Sequence, residues 1–119
     1  MTTQEIADSL VEYCRKGDFE GAQKALYSED VISIEPQASP AFEKETKGLP
    51  AVLEKSEKFN AMVEEMKGVT VSDALVGTNS FAISMRLHAV MKERGEMDMT
   101  EICVYKVKDG KIISEEFFM

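Results

Sequence analysis

Apolar residues recur every three or four positions between Thr3 and Lys16, where Ile6, Ala7, Leu10, Val11 and Cys14 fall on one side. That spacing predicts an amphipathic helix, capped by Thr2 or Thr3 and stopped by Gly17. Asp18 then caps a second helix to about Tyr27, with Phe19, Ala22, Ala25 and Leu26 inward. VISIE (Val31 to Glu35) reads as a short strand ended by Pro36. Residues 36–48, PQASPAFEKETKG, carry two prolines and little periodicity, which predicts a mobile lid or mouth loop. Helical spacing returns from Gly48 to about Met66, with Leu49, Val52, Leu53, Phe59, Met62 and Val63 as the apolar side.

After Gly68 the repeat shortens to alternation, predicting strands at roughly 69–76, 79–91, 97–107 and 111–119. In NSFAISMRLHAVM, Phe81, Ile83, Met85, Leu87 and Met91 share one face, while Ser84, Arg86 and His88 share the other with Ala82 and Val90. In MDMTEICVYKV, Met97, Met99, Cys103, Tyr105 and Val107 face one way, and Asp98, Thr100 and Lys106 the other. Glu101 falls on the apolar side, an unusual company for a carboxylate. Pairing these strands across KERGE gives one covered face and one largely polar face. Three helical segments followed by a mostly antiparallel sheet make an α+β plan, with the helices packed on one sheet face.

The closing hairpin decides which of Glu115 and Glu116 points inward. A two-residue Asp109-Gly110 loop sets Cys103 opposite Glu116; a three-residue loop with a glycine bulge sets it opposite Glu115. The second also places Ile113, Phe117 and Met119 on the apolar face, so Glu115 is expected inward beside Glu101.

At 119 residues the chain is sized for one domain, 1–119. Its formal net charge of −8, without a Lys/Arg cluster, argues against nucleic acid as a partner. No apolar run is long enough to span a membrane. The N-terminus, MTTQEIADSL, lacks the basic start and apolar core of a signal peptide, so a cytoplasmic setting is expected. Cys14 and Cys103 have no CxxC or Cys/His spacing and read as reduced, buried thiols. His88 is the only histidine, so no metal site is expected, and nothing in the chain calls for a cofactor.

The order of these elements, with KGDFEGA, LYSEDVISIEP, GLPAVLEK and EICVYKVKDGKIISEEFF, resembles the SnoaL-like (polyketide cyclase-like) families. These belong to the nuclear transport factor 2-like superfamily of α+β cones, also called cystatin-like. The resemblance covers nearly the whole chain. It implies a curved sheet wrapped around three N-terminal helices, an apolar pocket at the open end of the cone, and a homodimer formed through the outer sheet face, here by Ile102, Val104 and Phe118. It implies a small apolar molecule as ligand, and it spans cyclases, isomerases, dehydratases, hydrolases and binding-only domains. Glu35-Pro36 stands where ketosteroid isomerases carry their Asp-Pro general base. Ser9 and Cys103 stand where those enzymes hold the oxyanion, with Tyr13 one turn beyond. SnoaL-type cyclases place a carboxylate near Cys103, and the nearest inward carboxylate here is Glu101.

The expected site therefore has Glu35, Glu101 and Glu115 as acid/base candidates. Tyr13, Phe59, Met85, Leu87, Met99, Cys103, Tyr105, Phe117 and Met119 are expected to line the pocket. Crowded, poorly solvated carboxylates raise one another's pKa, so that one donates while another accepts. That suits proton transfer beside a carbonyl, as in enolisation or aldol cyclisation. A binding module that leaves its metabolite unchanged, and a dimeric accessory domain with a filled cavity, are the competing readings. His88 falls on the outer face with Arg86; Lys55 and Lys58 fall on the solvated side of their helix, within reach of a pocket carboxylate.

Overall fold

The computed structural model describes residues 1–119, the whole chain. Helix α1 (Thr3–Arg15) opens on a capping box: Thr2 Oγ1 accepts from the Glu5 amide at 3.1 Å, and Glu5 Oε1 accepts from the Thr2 amide at 2.8 Å. It buries the five residues that the spacing singled out and stops where Gly17 turns left-handed at φ 73°. Asp18 Oδ1 accepts from the Gly21 amide at 2.9 Å to start α2 (Phe19–Leu26). Gln23, not Ala25, joins Ala22 and Leu26 on its buried side.

Strand β1 runs over Tyr27–Ile34, longer than the VISIE segment alone, because Tyr27 pairs with Ile112 before the ladder resumes at Ile32. Within the expected loop, Glu45–Lys47 form a short strand, β2, against β1. Helix α3 (Leu49–Met62) starts at Gly48, φ 91°, with Pro50 in its first turn. It ends four residues before the expected Met66, because Val63–Val71 form strand β3, paired with the next long strand from Val63↔Met91 onward. The helix pattern and the strand overlap there, and cross-strand pairing prevails over local spacing.

The rest are β4 (Leu75–Val76), β5 (Ser80–Met91), β6 (Gly95–Lys108) and β7 (Lys111–Phe118). Strand order is β2-β1-β7-β6-β5-β3, with β4 beside β5; every pair is antiparallel except β1–β7. Register shifts interrupt β1–β7, β3–β5 and β6–β7, and such irregularities bend a sheet. The fold is α+β, with three helices on one face of an open sheet. Its core joins α1 and α2 to the inward residues of β5 and β6, including Phe81, Ile83, Leu87, Cys103 and Tyr105. Phe81 and Tyr105 stack with ring centroids 4.9 Å apart. No helix is long and apolar enough to cross a membrane.

The closing hairpin corrects both expected registers. Asp109 (φ 52°) and Gly110 (φ 75°) form the tight two-residue loop, with Lys108 opposite Lys111. A bulge follows in β7, where Ile113 is extra between the pairs Val107↔Ile112 and Lys106↔Ser114, after which Cys103 faces Phe117 and Tyr105 faces Glu115. The bulge adds one residue to β7, so the inward parity matches that of a three-residue loop although the partners differ. Glu115 is therefore inward, as expected. Ile112 rather than Ile113 fills the core, and Met119 is exposed beyond the last pair.

Candidate functional site

A cavity of about 160 Å³ opens between the helices and the inner sheet face. Leu10 and Cys14 of α1, Phe19 and Ala22 of α2, and Val52 and Phe59 of α3 form its helical wall. The sheet side comes from Met85 and Leu87 of β5, Met99, Glu101 and Tyr105 of β6, and Glu115 and Phe117 of β7. Alternation places these sheet residues together: each lies an even number of positions from its neighbours on the same strand.

All three candidate carboxylates reach this cavity, in three different settings. Glu115 is 4% exposed. Its Oε1 accepts the Tyr27 hydroxyl hydrogen, and its Oε2 accepts from Ser33 Oγ at 2.6 Å. Burial pushes its pKa up, while the two hydroxyls and Lys55 oppose the rise. Burial and the Glu115 carboxylate push the Tyr27 phenol well above its ordinary value, so Tyr27 stays a donor. Glu35, beyond the end of β1, accepts from Lys55 Nζ at 3.1 Å. The same ammonium donates to Ser33 Oγ at 2.9 Å, which joins Glu35, Lys55, Ser33, Glu115 and Tyr27 into one chain of hydrogen bonds.

Glu101 stands apart from that chain. It is 9% exposed, sits opposite Met85 across the β5–β6 ladder, and has only the Cys103 thiol as donor, S···O 3.8 Å. Desolvation, with Glu35 and Glu115 adding repulsion, pushes its pKa from 4.5 up to about 7. A thiol is a weak donor and offsets little of this.

Six of the nine expected lining residues hold that place: Phe59, Met85, Leu87, Met99, Tyr105 and Phe117. Three do not. Tyr13 lines a separate polar cleft with Ser9, Glu12, Lys16 and Asp18, because the inward stripe of α1 runs through Leu10 and Cys14 instead. Cys103 is fully buried behind Glu101 rather than at the cavity surface, and burial raises its thiol pKa far above the ordinary value. Met119 is 73% exposed, past the final strand pair.

Tyr27, Ser33 and Phe42 are site residues outside the expected set, and Lys55 lines the cavity rather than the solvated side of its helix. Signals for two of them existed. Val31, Ser33 and Glu35 share strand parity, and Lys55 lies between Val52 and Phe59 at helical spacing. Phe42 is carried in by the 36–44 segment, which is tied down by Glu35 N to Lys44 O (2.7 Å) and Lys58 Nζ to Ala41 O (2.5 Å). Lys58 also lies 5.4 Å over the Phe42 ring.

The chain belongs to the SnoaL-like family: the SnoaL-like domain matches residues 1–119. It is similar to the structure of a candidate SnoaL-like polyketide cyclase from Mesorhizobium loti, at 30% identity over 100% of both chains with a TM-score of 0.92. A cystatin-like protein from Xanthomonas campestris shares the fold, at 20% identity and TM-score 0.82 over 99% of this chain and 90% of that one. So does a Mycobacterium tuberculosis protein in complex with estradiol-17β-hemisuccinate, at 18% identity and TM-score 0.76 over 100% of this chain and 95% of that one. No curated protein matches the sequence.

Proposed function

We propose that the protein binds a small apolar carbonyl compound in this cavity and moves a proton at the carbon beside the carbonyl, without a cofactor, with Glu101 as the acid/base. The observation that carries this reading is Glu101 itself: a buried carboxyl on a largely apolar cavity wall with one weak thiol contact, where burial and the neighbouring carboxylates push its pKa up to about 7. A group whose pKa lies near the working pH serves as both acceptor and donor. In the proposed step the Glu101 carboxylate takes the α-proton, and the C–H electron pair moves toward the carbonyl oxygen to give an enolate. The proton then returns to carbon at another position, or to the alkoxide left after carbon–carbon ring closure. Glu35 and Glu115 are already engaged by Lys55, Ser33 and Tyr27, and we assign them the support of the site rather than the transfer.

The cavity volume sets the size of the ligand. About 160 Å³ is close to the ~150 Å³ cavity that admits benzene. One ring is enclosed, and any larger compound extends toward the mouth beside Phe42 and Phe59. The M. loti relative and the ligand-holding M. tuberculosis neighbour support a ring-bearing carbonyl ligand. The test is exchange of the acetophenone methyl protons in deuterated water, followed by NMR. The wild type should accelerate exchange, with a rate that rises with pH through about 7 as Glu101 ionises. Glu101→Gln should lose roughly a hundredfold or more of that acceleration.

A second reading has its own observation. Two of the three carboxylates carry partners, as expected for a pocket that holds a metabolite unchanged. In that case acetophenone raises Tm by binding the folded state, and exchange stays at the buffer rate in both proteins.

We also propose that the outer sheet face pairs with a second copy of the chain. Ile102 and Phe118 face each other across β6–β7 and are 44% and 45% exposed. An Ile102→Glu, Phe118→Ser double variant should sediment as a monomer while the wild type sediments as a dimer; equal sedimentation of the two removes the proposal.

A further inference from the structure

Lys55 has a place in the cavity that no acid/base role for the glutamates explains. It projects from α3 between Val52 and Phe59, its side chain is 17% exposed, and it lines the cavity. Its ammonium lies 5.5 Å from the centre of the Phe117 ring, so its surroundings are apolar on that side. An ammonium carries three N–H bonds. Two have protein acceptors, Ser33 Oγ and Glu35 Oε2; the third has none.

We propose that Lys55 is a substrate-contacting residue whose third N–H binds the oxygen of the ligand, and that the ligand class is one in which this oxygen carries or develops negative charge: an enolisable ketone, an enolate or a phenolate. The inference rests on the binding reading given above and adds to it the group that holds the oxygen. Glu101 on β6 and Lys55 on α3 belong to opposite walls of one cavity, so a carbonyl compound between them meets a base at its α-carbon and a cation at its oxygen. A fixed positive charge in a poorly solvated site stabilises a developing oxyanion far better than water does. Ser33 Oγ and Glu35 Oε2 hold the ammonium at the cavity wall by two hydrogen bonds, which limits its movement in advance.

The carboxylate excess of the site would favour an organic cation instead, but its carboxylates are mostly engaged. Glu35 is matched by Lys55 itself, and Glu115 is satisfied by Tyr27 and Ser33. Glu101 is the one carboxyl left for an ammonium ligand, and it is shared with the proton-transfer role.

4-Nitrophenol decides the matter, because it is a single ring of suitable size and its phenolate absorbs in the visible. It is titrated against pH with and without wild-type protein, Lys55→Met and Lys55→Arg, with benzylamine as the cationic control. The expected result is that wild type binds the probe as phenolate at pH values where the free probe is still neutral, and binds benzylamine more weakly. A charge-assisted hydrogen bond implies that Lys55→Met loses roughly ten- to hundredfold in phenolate affinity, and its bound probe reverts to the neutral form. Lys55→Arg, which keeps the charge, should retain the visible band. Wild-type protein that binds the probe as neutral phenol, or prefers benzylamine, overturns the anchor whether or not any variant folds. A folded Lys55→Met that binds phenolate like wild type does the same. If the anchor fails in this way while Glu101-dependent exchange of acetophenone persists, the proposed function stands without it. If no probe binds wild type at all, the open pocket and the anchor fall together.

Discussion

Strand β6 carries charged residues on both faces, and the two faces treat them oppositely. On the outer face Arg86 grips Asp98 through two hydrogen bonds of 2.8 and 2.6 Å, and His88 and Lys67 share Glu96. Both members of the Arg86–Asp98 pair are substantially exposed, and the guanidinium holds the Asp98 carboxyl below its ordinary pKa. One residue in from Thr100, which pairs with Arg86, Glu101 faces the cavity with no cation bonded to it and titrates far above its ordinary range. The same residue type, on the same strand, is a solvated partner on one side and a destabilised acid on the other. What differs is water and the reach of a counter-charge, not local sequence. A protein keeps such an inner carboxyl at a cost to stability, and that cost is the physical basis for giving it a function.

The contrast is broken most severely at Glu115. Glu115→Ala leaves the buried Tyr27 hydroxyl without its acceptor, deprives Ser33 of its own, and opens a cavity. A loss of about 4 kcal/mol is expected in urea unfolding at pH 7. Glu101→Gln acts with the opposite sign and depends on pH. Below 4.5 the carboxyl is protonated in folded and unfolded chains alike, so the variant should match wild type. As pH rises from 4.5 to about 7 the unfolded chain releases its proton first, and wild-type stability falls. Above pH 7 the full cost of roughly 3 kcal/mol is present, and Glu101→Gln should be more stable by that order. Unfolding curves at pH 4.5 and pH 8 check it.

Tyr27→Phe removes one donor from Glu115 and should cost about 2 kcal/mol at pH 7. In the same variant the Glu115 pKa should move further upward, since a bond to its charged form is gone. Arg86→Ala, on the outer face, should cost under about 1 kcal/mol, and less at high salt. A larger loss there would erase the difference between the faces.

Much of this contrast was legible in the residues. Strict alternation in 79–91 and 97–107 assigned both faces of β5 and β6, and it set Glu101 against Met99 and Cys103. The family resemblance supplied the arrangement of sheet and helices, which the three helices and open sheet bear out, and the SnoaL-like domain match bears out the family over residues 1–119. Three things were not legible. The register of β7 depends on a bulge at Lys106/Val107, and a bulge leaves no composition signal in VKDGKIIS. The end of α3 depends on pairing of Val63 with Met91, twenty-eight positions away. The Tyr27–Glu115–Ser33–Lys55 chain joins residues from three elements, so no local spacing contains it. Lys55 in particular reads as a solvent-facing helix charge until Glu35 and Ser33 are brought to it.

Glu101 is the inner-face carboxyl without a strong partner, while Glu35 and Glu115 are already engaged. The most direct measurement is a pH titration of the side-chain carboxyl carbons by carbon-13 NMR, with Glu101 assigned by comparison with Glu101→Gln. A Glu101 midpoint near 7 is expected, above the ordinary value of 4.5. A midpoint near 4.5, the ordinary value, would mean that water reaches the carboxyl freely, and the proton-transfer reading would be wrong.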